Sequence, residues 1–375
     1  MKAAREPVQR QVVKDTFYRR PLPDSAIPFS SAEGRRLFAE ALATGGLDGY
    51  FPLAEQFHTQ AEPTFCGLGS LVMALNALAI DPGRLWRGPW RWFGEELLDC
   101  CVPLELVRSR GLDLDELACL ARCNGADVTL HRADASTVET WRSALAEGAR
   151  ADAVIVASYD RSALGQTGSG HFSPLGGHHL ERDLTLILDV ARFKYPPHWV
   201  PAERLWEAMR AIDPTTGKSR GWLALRARSR GVGLGFSIRC DGDSWRGLVD
   251  RLARAIAELD ASADVDAVIR AITPLATHLE VRTPSTPAHR DAIERARRAL
   301  RELPVYPRVN AITDPERTEV VTILLLASEV LLGPEQRARV AAIVGDVDED
   351  SPLAAEVQNV RAQLSALWAH LRDAA

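Results

Sequence analysis

The sequence predicts an α+β fold from three observations. Helix-like patterns come first, between Gly67 and Arg122; short β-rich runs follow, between Val128 and Val190; the chain closes in Ala-, Leu-, Arg- and Glu-rich periodic segments. Helices gathered ahead of strands argue against a regular βαβ alternation. At 375 residues the chain exceeds the size at which one hydrophobic core stops growing, so two domains are expected. Residues 1–222 hold most of the Trp, Pro and Cys; residues 223–375 read as a mainly helical domain with no assigned role.

Small and apolar residues run from Gly67 to Ala79 without a breaker, which predicts a helix starting at or near Cys66. Further helices are expected at Gly94–Cys101, Leu104–Arg110 and Asp115–Arg122, and strands at Val128–His131, Ala153–Ser158, His171–Leu175 and Thr185–Val190. The second half opens with strand-like runs at Trp222–Arg226 and Gly233–Ile238. Trp245, Leu248, Val249, Leu252, Ile256 and Leu259 then form one apolar stripe at helical spacing. Val357, Val360, Leu364, Leu367 and Leu371 alternate steps of three and four, read as packing inside the domain ahead of a homodimer zipper. Val320–Leu332 is far short of the roughly 20 residues that span a bilayer and reads as a buried helix.

Composition excludes some partners. With 46% hydrophobic and 25% charged residues the chain is ordinary for a globular protein, and a net charge of -5 with scattered Lys and Arg leaves no field for a phosphate backbone. Nucleic acid and membrane are therefore not expected as partners. Met1 to Lys14 is polar, without the apolar stretch of a signal peptide, so a cytoplasmic protein is expected. Its six cysteines are then expected to be reduced.

Cys66 stands at the start of its helix, where unpaired backbone N–H groups and the helix dipole stabilise a thiolate. Gly67 and Gly69 leave room for a substrate backbone, and Gln60 upstream offers an amide donor for an oxyanion. The same segment also fits a small buried cysteine at a helix start. His171 lies among glycines and small polar residues, suited to a base, and Asp189 closes the apolar run Leu184-Thr-Leu-Ile-Leu, placed to orient an imidazole. Gln, Cys, His and carboxylate in that order is the chain order of papain-like enzymes.

Residues from about Tyr18 to Trp222 strongly resemble the catalytic domain of phytochelatin synthases. The matching runs are Phe29-Ser-Ser-Ala-Glu-Gly-Arg, Thr59-Gln-Ala-Glu-Pro, Cys66-Gly-Leu, Leu75-Asn-Ala-Leu-Ala-Ile-Asp-Pro-Gly-Arg, Gly88-Pro-Trp-Arg-Trp-Phe, Leu98-Asp-Cys-Cys, Cys123-Asn-Gly-Ala, Gln166-Thr-Gly-Ser-Gly-His-Phe-Ser-Pro and Leu186-Ile-Leu-Asp-Val-Ala-Arg-Phe-Lys-Tyr-Pro-Pro-His-Trp-Val-Pro. The resemblance implies a papain-like fold and an acyltransferase that moves γ-glutamylcysteine from glutathione to another glutathione. It implies Cys66 as nucleophile, His171 as general base and acid, Asp189 as orienting carboxylate and Gln60 as oxyanion donor. It also puts Asp213 and Arg220 where the γ-glutamyl head is recognised; that head carries an ammonium and a carboxylate, which an acid and a guanidinium suit. A solvated loop is the bland alternative for that segment. Arg192 and Lys194 are further candidates for carboxylate contacts, while Tyr195 reads as packing.

No tightly bound cofactor is expected; Cd2+ or Zn2+ would act through glutathione thiolates, making metal-glutathione complexes partners alongside glutathione itself. Two alternatives stay open: a glutathione hydrolase, and a non-catalytic thiol- or metal-binding protein. Cys100, Cys101, Cys119 and Cys123 are weak metal candidates, because Cys100 and Cys101 on a helix would point different ways and no ordered set completes four ligands. His178-His179 reads as loop surface, and Gly231-Val-Gly-Leu-Gly as only superficially a nucleotide loop. Plant and yeast members of the family carry a cysteine-rich C-terminal region, whereas residues 223–375 here hold only Cys240.

Overall fold

The structure, a computed structural model, describes residues 19–227, 235–238, 254–255, 259, 263–281 and 287–374. In chain order these form β1 (Ile27–Pro28), α1 (Ala32–Ala43), α2 (Tyr50–Glu55), α3 (Cys66–Ala77), α4 (Leu104–Arg110), α5 (Leu114–Cys123), β2 (Ala126–Arg132), α6 (Val138–Gly148), β3 (Val154–Asp160), β4 (Gly170–His179), β5 (Leu184–Ile187), β6 (His198–Pro201), α7 (Ala202–Met209) and β7 (Gly221–Ala227). The later elements are β8 (Phe236–Ile238), α8 (Val265–Ile272), β9 (Leu279–Val281), α9 (Pro287–Glu302), α10 (Tyr306–Ile312), α11 (Thr318–Ala327), α12 (Pro334–Val344) and α13 (Pro352–Ala374).

Among the described residues a seven-stranded sheet runs β1-β6-β5-β4-β3-β7-β2, every pair antiparallel. Helices come largely before strands, so the α+β class expected from the sequence holds. The central strands are covered on both faces, which is why β3 reads as a nearly unbroken apolar run. Its period of two divides the packing: Val154 and Val156 join the core of α1, α3 and α5, whereas Ile155, Ala157 and Tyr159 join Trp141, Leu205 and Trp222 beneath α6 and α7. Side chains cap the starts of several helices, α1 and α5 among them. Ser31 caps α1 by accepting from Gly34 N at 2.9 Å, and Asp113 and Glu116 cap α5 reciprocally.

Several expectations are corrected. The helix expected at Gly94–Cys101 is a short 3-10 turn, Glu95–Leu97, followed by an irregular stretch that bends at Cys100 and Cys101. Arg84 holds this stretch, donating to Leu97 O and, at 2.7 Å, to Asp99. His178 and His179 are not loop surface: β4 runs on to include them, both are buried, and each pairs with a carboxylate, Asp183 at 3.2 Å and Glu40 at 3.1 Å. The run at Trp222–Arg226 does not open the second half. As part of β7 it pairs with β2 and β3, so the sheet continues through position 222 to Ala227.

Beyond β7 the described helices pack around α11, whose Val321 to Ala327 are all buried, as expected for the apolar run from Val320. Val357, Val360 and Leu364 of α13 enter this core. A second face of α13 covers the edge of β8: Glu356 accepts from Gly235 N at 2.7 Å and Phe236 N at 3.1 Å, Asn359 donates to Phe236 O at 2.9 Å, and Gln363 accepts from Ile238 N at 2.6 Å. One helix face thus does for β8 what a neighbouring strand would do. Most of the stripe from Trp245 to Leu259, the loop at Gly231 and Cys240 lie outside the described residues, as do the N-terminal residues through position 18 and the side chains of Leu367 and Leu371. No helix among the described residues is long and apolar enough to cross a membrane.

A chain ending at Trp222 loses Leu223 and Leu225, both fully buried, at on the order of 2–5 kcal/mol each. A chain ending at Ala227 is therefore expected to melt cooperatively and well above one ending at Trp222 by circular dichroism. Equal melting of the two would mean that the C-terminal half of β7 contributes nothing to the sheet.

Candidate active site

The N-terminus of α3 and the start of β4 meet at a cavity of about 370 Å³ lined by Cys66, Arg110, Asp113, Arg161, His171, Lys194, Asp213 and Arg220, with glycines and apolar side chains such as Leu112, Phe172 and Phe193 between them. Its size falls within the range of small-molecule sites. Cys66 is the first residue of α3 and half-buried. Phe65 at the cap position supplies no side-chain acceptor, so the first N–H groups of the helix are available to a substrate oxygen.

His171 and Asp189 come together from neighbouring strands. β4 carries His171 near its start, and the chain leaving β5 carries Asp189. His171 Nε2 lies 2.9 Å from Asp189 Oδ1, which leaves Nδ1 for the thiol. Tyr159 meets the imidazole edge-to-face at 5.7 Å. Asp189 is fully buried, yet its carboxyl is held well below the usual carboxylate range. Burial opposes this, but the positive charges of His171 and Arg161 and the His171 hydrogen bond outweigh it. Arg161 Nη2 is 2.8 Å from Oδ2, and Ala191 N donates to Oδ1 at 2.9 Å.

The same balance sets the thiol. Burial pushes the Cys66 thiol up, but the charge and hydrogen bond of His171, the Phe172 backbone and the charge of Arg161 together bring it below its ordinary value. His171 moves the other way: burial and Arg161 lower it, while Asp189 and Cys66 raise it further, so the net shift is upward. A depressed thiol beside an elevated imidazole favours the thiolate–imidazolium pair.

Arg161, Gln166 and His198 were missed as site residues by sequence reasoning. Arg161 Nη1 donates to Gln166 Oε1 at 2.6 Å, Gln166 Nε2 donates to His198 Nε2 at 2.8 Å, and His198 Nδ1 donates to Pro196 O at 2.8 Å. Gln166 and His198 lay inside conspicuous runs of sequence, but nothing in their spacing tied them to Asp189. Tyr195 packs its ring 5.1 Å from the Arg161 guanidinium, as packing was expected of it, and also accepts from Thr167 N at 2.8 Å.

The remaining candidates divide. Asp213 and Arg220 are both buried, line the cavity and pair at 3.0 Å, with Arg220 Nε left unpaired. Gly170 makes room for that guanidinium, since a Cβ there would lie 2.6 Å from Arg220 Nη1. Lys194 lines the cavity and donates to Thr167 O at 2.7 Å. Arg192 instead stacks over Phe57 at 4.4 Å, outside the lining. Gln60 is buried beside α3 but also outside the lining; its Nε2 donates to Glu62 O at 2.7 Å and Pro63 O at 2.9 Å, and its Oε1 has no partner. Arg110 and Asp113 are cavity residues that the sequence did not suggest. Asp113 is pushed up to about 6, first by burial and then by the charge of Glu116.

A thiol on a helix N-terminus, an imidazole and a buried carboxylate in series define a site of the cysteine-nucleophile class. The chain belongs to the phytochelatin synthase family, whose model matches residues 17–222. It is 48% identical over 260 residues to glutathione gamma-glutamylcysteinyltransferase 1 of Arabidopsis thaliana, covering 69% of this chain and 54% of that protein. The protein of the same name from Triticum aestivum is 48% identical over 266 residues, covering 70% of this chain and 53% of the relative. The glutathione gamma-glutamylcysteinyltransferase of Schizosaccharomyces pombe is 39% identical over 261 residues, with shares of 69% and 63%. The matches thus span between about half and two thirds of these relatives' length.

The thiolate pair has a readable pH signature. Alkylation of Cys66 by iodoacetamide is expected to rise with pH through a midpoint below the ordinary thiol value, because the lowered group is still ionised there. In His171→Ala the main lowering influence is lost while burial stays, so the midpoint should move up. An unchanged midpoint would show that His171 does not set the thiol.

Proposed function

We propose that this chain is a glutathione γ-glutamylcysteinyltransferase that builds phytochelatins through a thioester on Cys66. Supporting this is one juxtaposition: Cys66 and the His171–Asp189 pair share their cavity with the buried Asp213–Arg220 pair. The first group can break an acyl bond; the second matches the two charges of a γ-glutamyl head.

In the proposed first step the Cys66 thiolate attacks the carbonyl between cysteine and glycine of glutathione. Asp213 receives the free ammonium of the γ-glutamyl head, and Arg220 with Lys194 receives its carboxylate. The N–H groups at the start of α3 face the developing oxyanion. Gln60 joins them by exchanging one of its two carbonyl bonds for the oxyanion. His171 gives its proton to the departing glycine nitrogen, the carbon–nitrogen bond breaks, and γ-glutamylcysteine is left as a thioester. In the second step His171 takes a proton from the α-amine of an acceptor glutathione, the amine attacks the thioester, and the Cys66 thiolate leaves. Throughout, Asp189 holds the imidazole in place and stabilises its charged form. Cadmium or zinc enters as part of the acceptor, bound by glutathione sulfur; no resident cofactor is needed. All these residues lie before position 222, and residues 1–222 are assigned as the catalytic part, completed structurally by the rest of β7.

Mass analysis of products from purified protein and glutathione, with and without cadmium, tests the proposal. Oligomers of γ-glutamylcysteine are expected, increased by cadmium; glycine and γ-glutamylcysteine alone would make the chain a hydrolase. Cys66→Ser should abolish both the acyl-enzyme and the product.

The substrate contacts have their own test. Arg220→Ala should lose roughly one to two decades in kcat/KM, corresponding to about 1.5–3 kcal/mol for a charge-assisted contact. The loss should be much smaller with an analogue lacking the γ-glutamyl carboxylate, and equal losses on both substrates would reduce Arg220 to a structural role. Gln60→Ala should cost on the order of 10²–10³ in kcat if its amide reaches the oxyanion. An effect below tenfold would leave Gln60 as the residue that braces the 60–63 loop.

A further inference from the structure

Helix α5 carries chemistry-bearing groups at both ends. At its last turn Cys119 and Cys123 meet Cys100 and Cys101, and Cys101 and Cys119 are joined as a disulfide where reduced thiols were expected; none of the four lines the cavity. Its first turn does border the cavity. The segment that enters α5 lies against the start of α3: Thr64 Oγ1 donates to Arg108 O at 3.1 Å, and a Cβ on Gly67 would stand 3.0 Å from Leu112 Cδ1. Asp113 thus lines the cavity one residue along from a side chain packed on the neighbour of Cys66.

Among the described residues two carboxylates line the cavity, Asp213 and Asp113. Asp213 has a guanidinium beside it, Arg220 at 3.0 Å, and accepts from Thr215 N at 3.0 Å. Asp113 has no such cation. Its Oδ1 accepts from Glu116 N at 2.8 Å, its Oδ2 makes no hydrogen bond among the described residues, and Arg110 is held by Glu116 through two bonds of 2.6 and 3.0 Å. Burial, then the charges of Glu116 and Asp115, push the Asp113 carboxyl up to about 6, against the Glu116 N–H and the charge of Arg110. A carboxyl in this state is ionised at neutral pH yet accepts a proton readily.

Transfer releases more protons than hydrolysis does. The α-amine of an acceptor glutathione arrives as an ammonium and ends as an amide, so two protons leave its nitrogen; a water that attacks the same thioester gives up one. His171 takes one proton in either case. The transferase reading of this site therefore needs a second base, and on that reading we propose that Asp113 supplies it: its carboxylate receives the ammonium of the acceptor and takes the proton that His171 does not. His171 accepts the first proton, and the nitrogen lone pair attacks the thioester carbonyl. The nitrogen then gives its surplus proton to Asp113, and the carbon–sulfur bond breaks to restore the Cys66 thiolate beside the His171 imidazolium. Asp113 returns its proton to solvent. It thereby sets how the acyl-enzyme divides between amine and water.

The test uses the full chain and follows the fate of its acyl-enzyme. Protein loaded from glutathione labelled in the γ-glutamylcysteine part is mixed rapidly, at mildly alkaline pH, with unlabelled glutathione over a range of concentrations. Label in oligomers is then compared with label in free γ-glutamylcysteine. Asp113→Asn keeps the α5 cap, since an asparagine oxygen accepts from the Glu116 N–H equally well, and should lower the ratio of oligomer to free γ-glutamylcysteine by about tenfold or more. Hydroxylamine is already uncharged there and loses a single proton on acylation, so its capture of the acyl-enzyme as a hydroxamate should fall far less. Asp113→Ser, which also caps, gives the same comparison if the asparagine variant is insoluble. An unchanged ratio overturns the inference, as does an equal fall in capture by glutathione and by hydroxylamine. So does a loss of thioester formation with the ratio kept, which would put Asp113 on the donor side. Failure of the transferase reading looks different: the unmutated chain would then form no thioester, or would release γ-glutamylcysteine without oligomer at every acceptor concentration, and the role of Asp113 would fall with it.

Discussion

The buried pairing of Arg161 with Asp189 is the constraint on which the site rests. A carboxylate withdrawn completely from water is costly unless charge and hydrogen bonds replace its hydration. Here Arg161, His171 and the Ala191 N–H replace it. The guanidinium is satisfied in turn by Gln166, and Gln166 by His198, whose other nitrogen is spent on Pro196 O. Each member sets the orientation of the next. Loss of one partner from such a pair typically costs about 3–5 kcal/mol, because the charge left behind has no solvent to turn to. The orientation of His171, and with it the ionisation of Cys66, follows from that buried charge.

The sheet makes this arrangement affordable in space. α3 packs against β4, the strand that bears His171, while β5, its neighbour, leads straight into Asp189. Because β3, β4 and β7 are covered on both faces, the strand ends are held by two cores and not by loop contacts alone. Gly170, at the start of β4, allows the Arg220 guanidinium to come up against the backbone next to His171. The base and the Arg220 guanidinium thus meet at the start of one strand, against which the helix of the nucleophile packs.

The α5 helix links three regions. Its capped N-terminus borders the cavity, its last turn carries Cys119 and Cys123, and its side packs near Ala362 of α13.

Much of this was determined by the sequence alone. The α+β class followed from the order of periodicities, and α3 from an unbroken run of small and apolar residues beginning at Cys66. Cys66, His171 and Asp189 could be singled out because each sits at the end of a recognisable segment and because the long runs around them resemble one family; their chain order added little by itself. Tertiary structure alone decided the rest, since it depends on contacts between residues far apart in the chain. Arg161 has no local mark of its role, because only folding brings it against Asp189. The directions of Cys100 and Cys101 were not legible because the helix expected through them is an irregular bend, so their thiols are directed by packing against α5 and not by helical spacing. His178 and His179 looked like surface because the sequence shows no partner at metal spacing, yet β4 runs through the bulge between Leu175 and Gly177 and buries both, beside Asp183 and Glu40. Periodicity reports which face of an element is apolar; it carries no information about which distant side chain will neutralise a charge buried there.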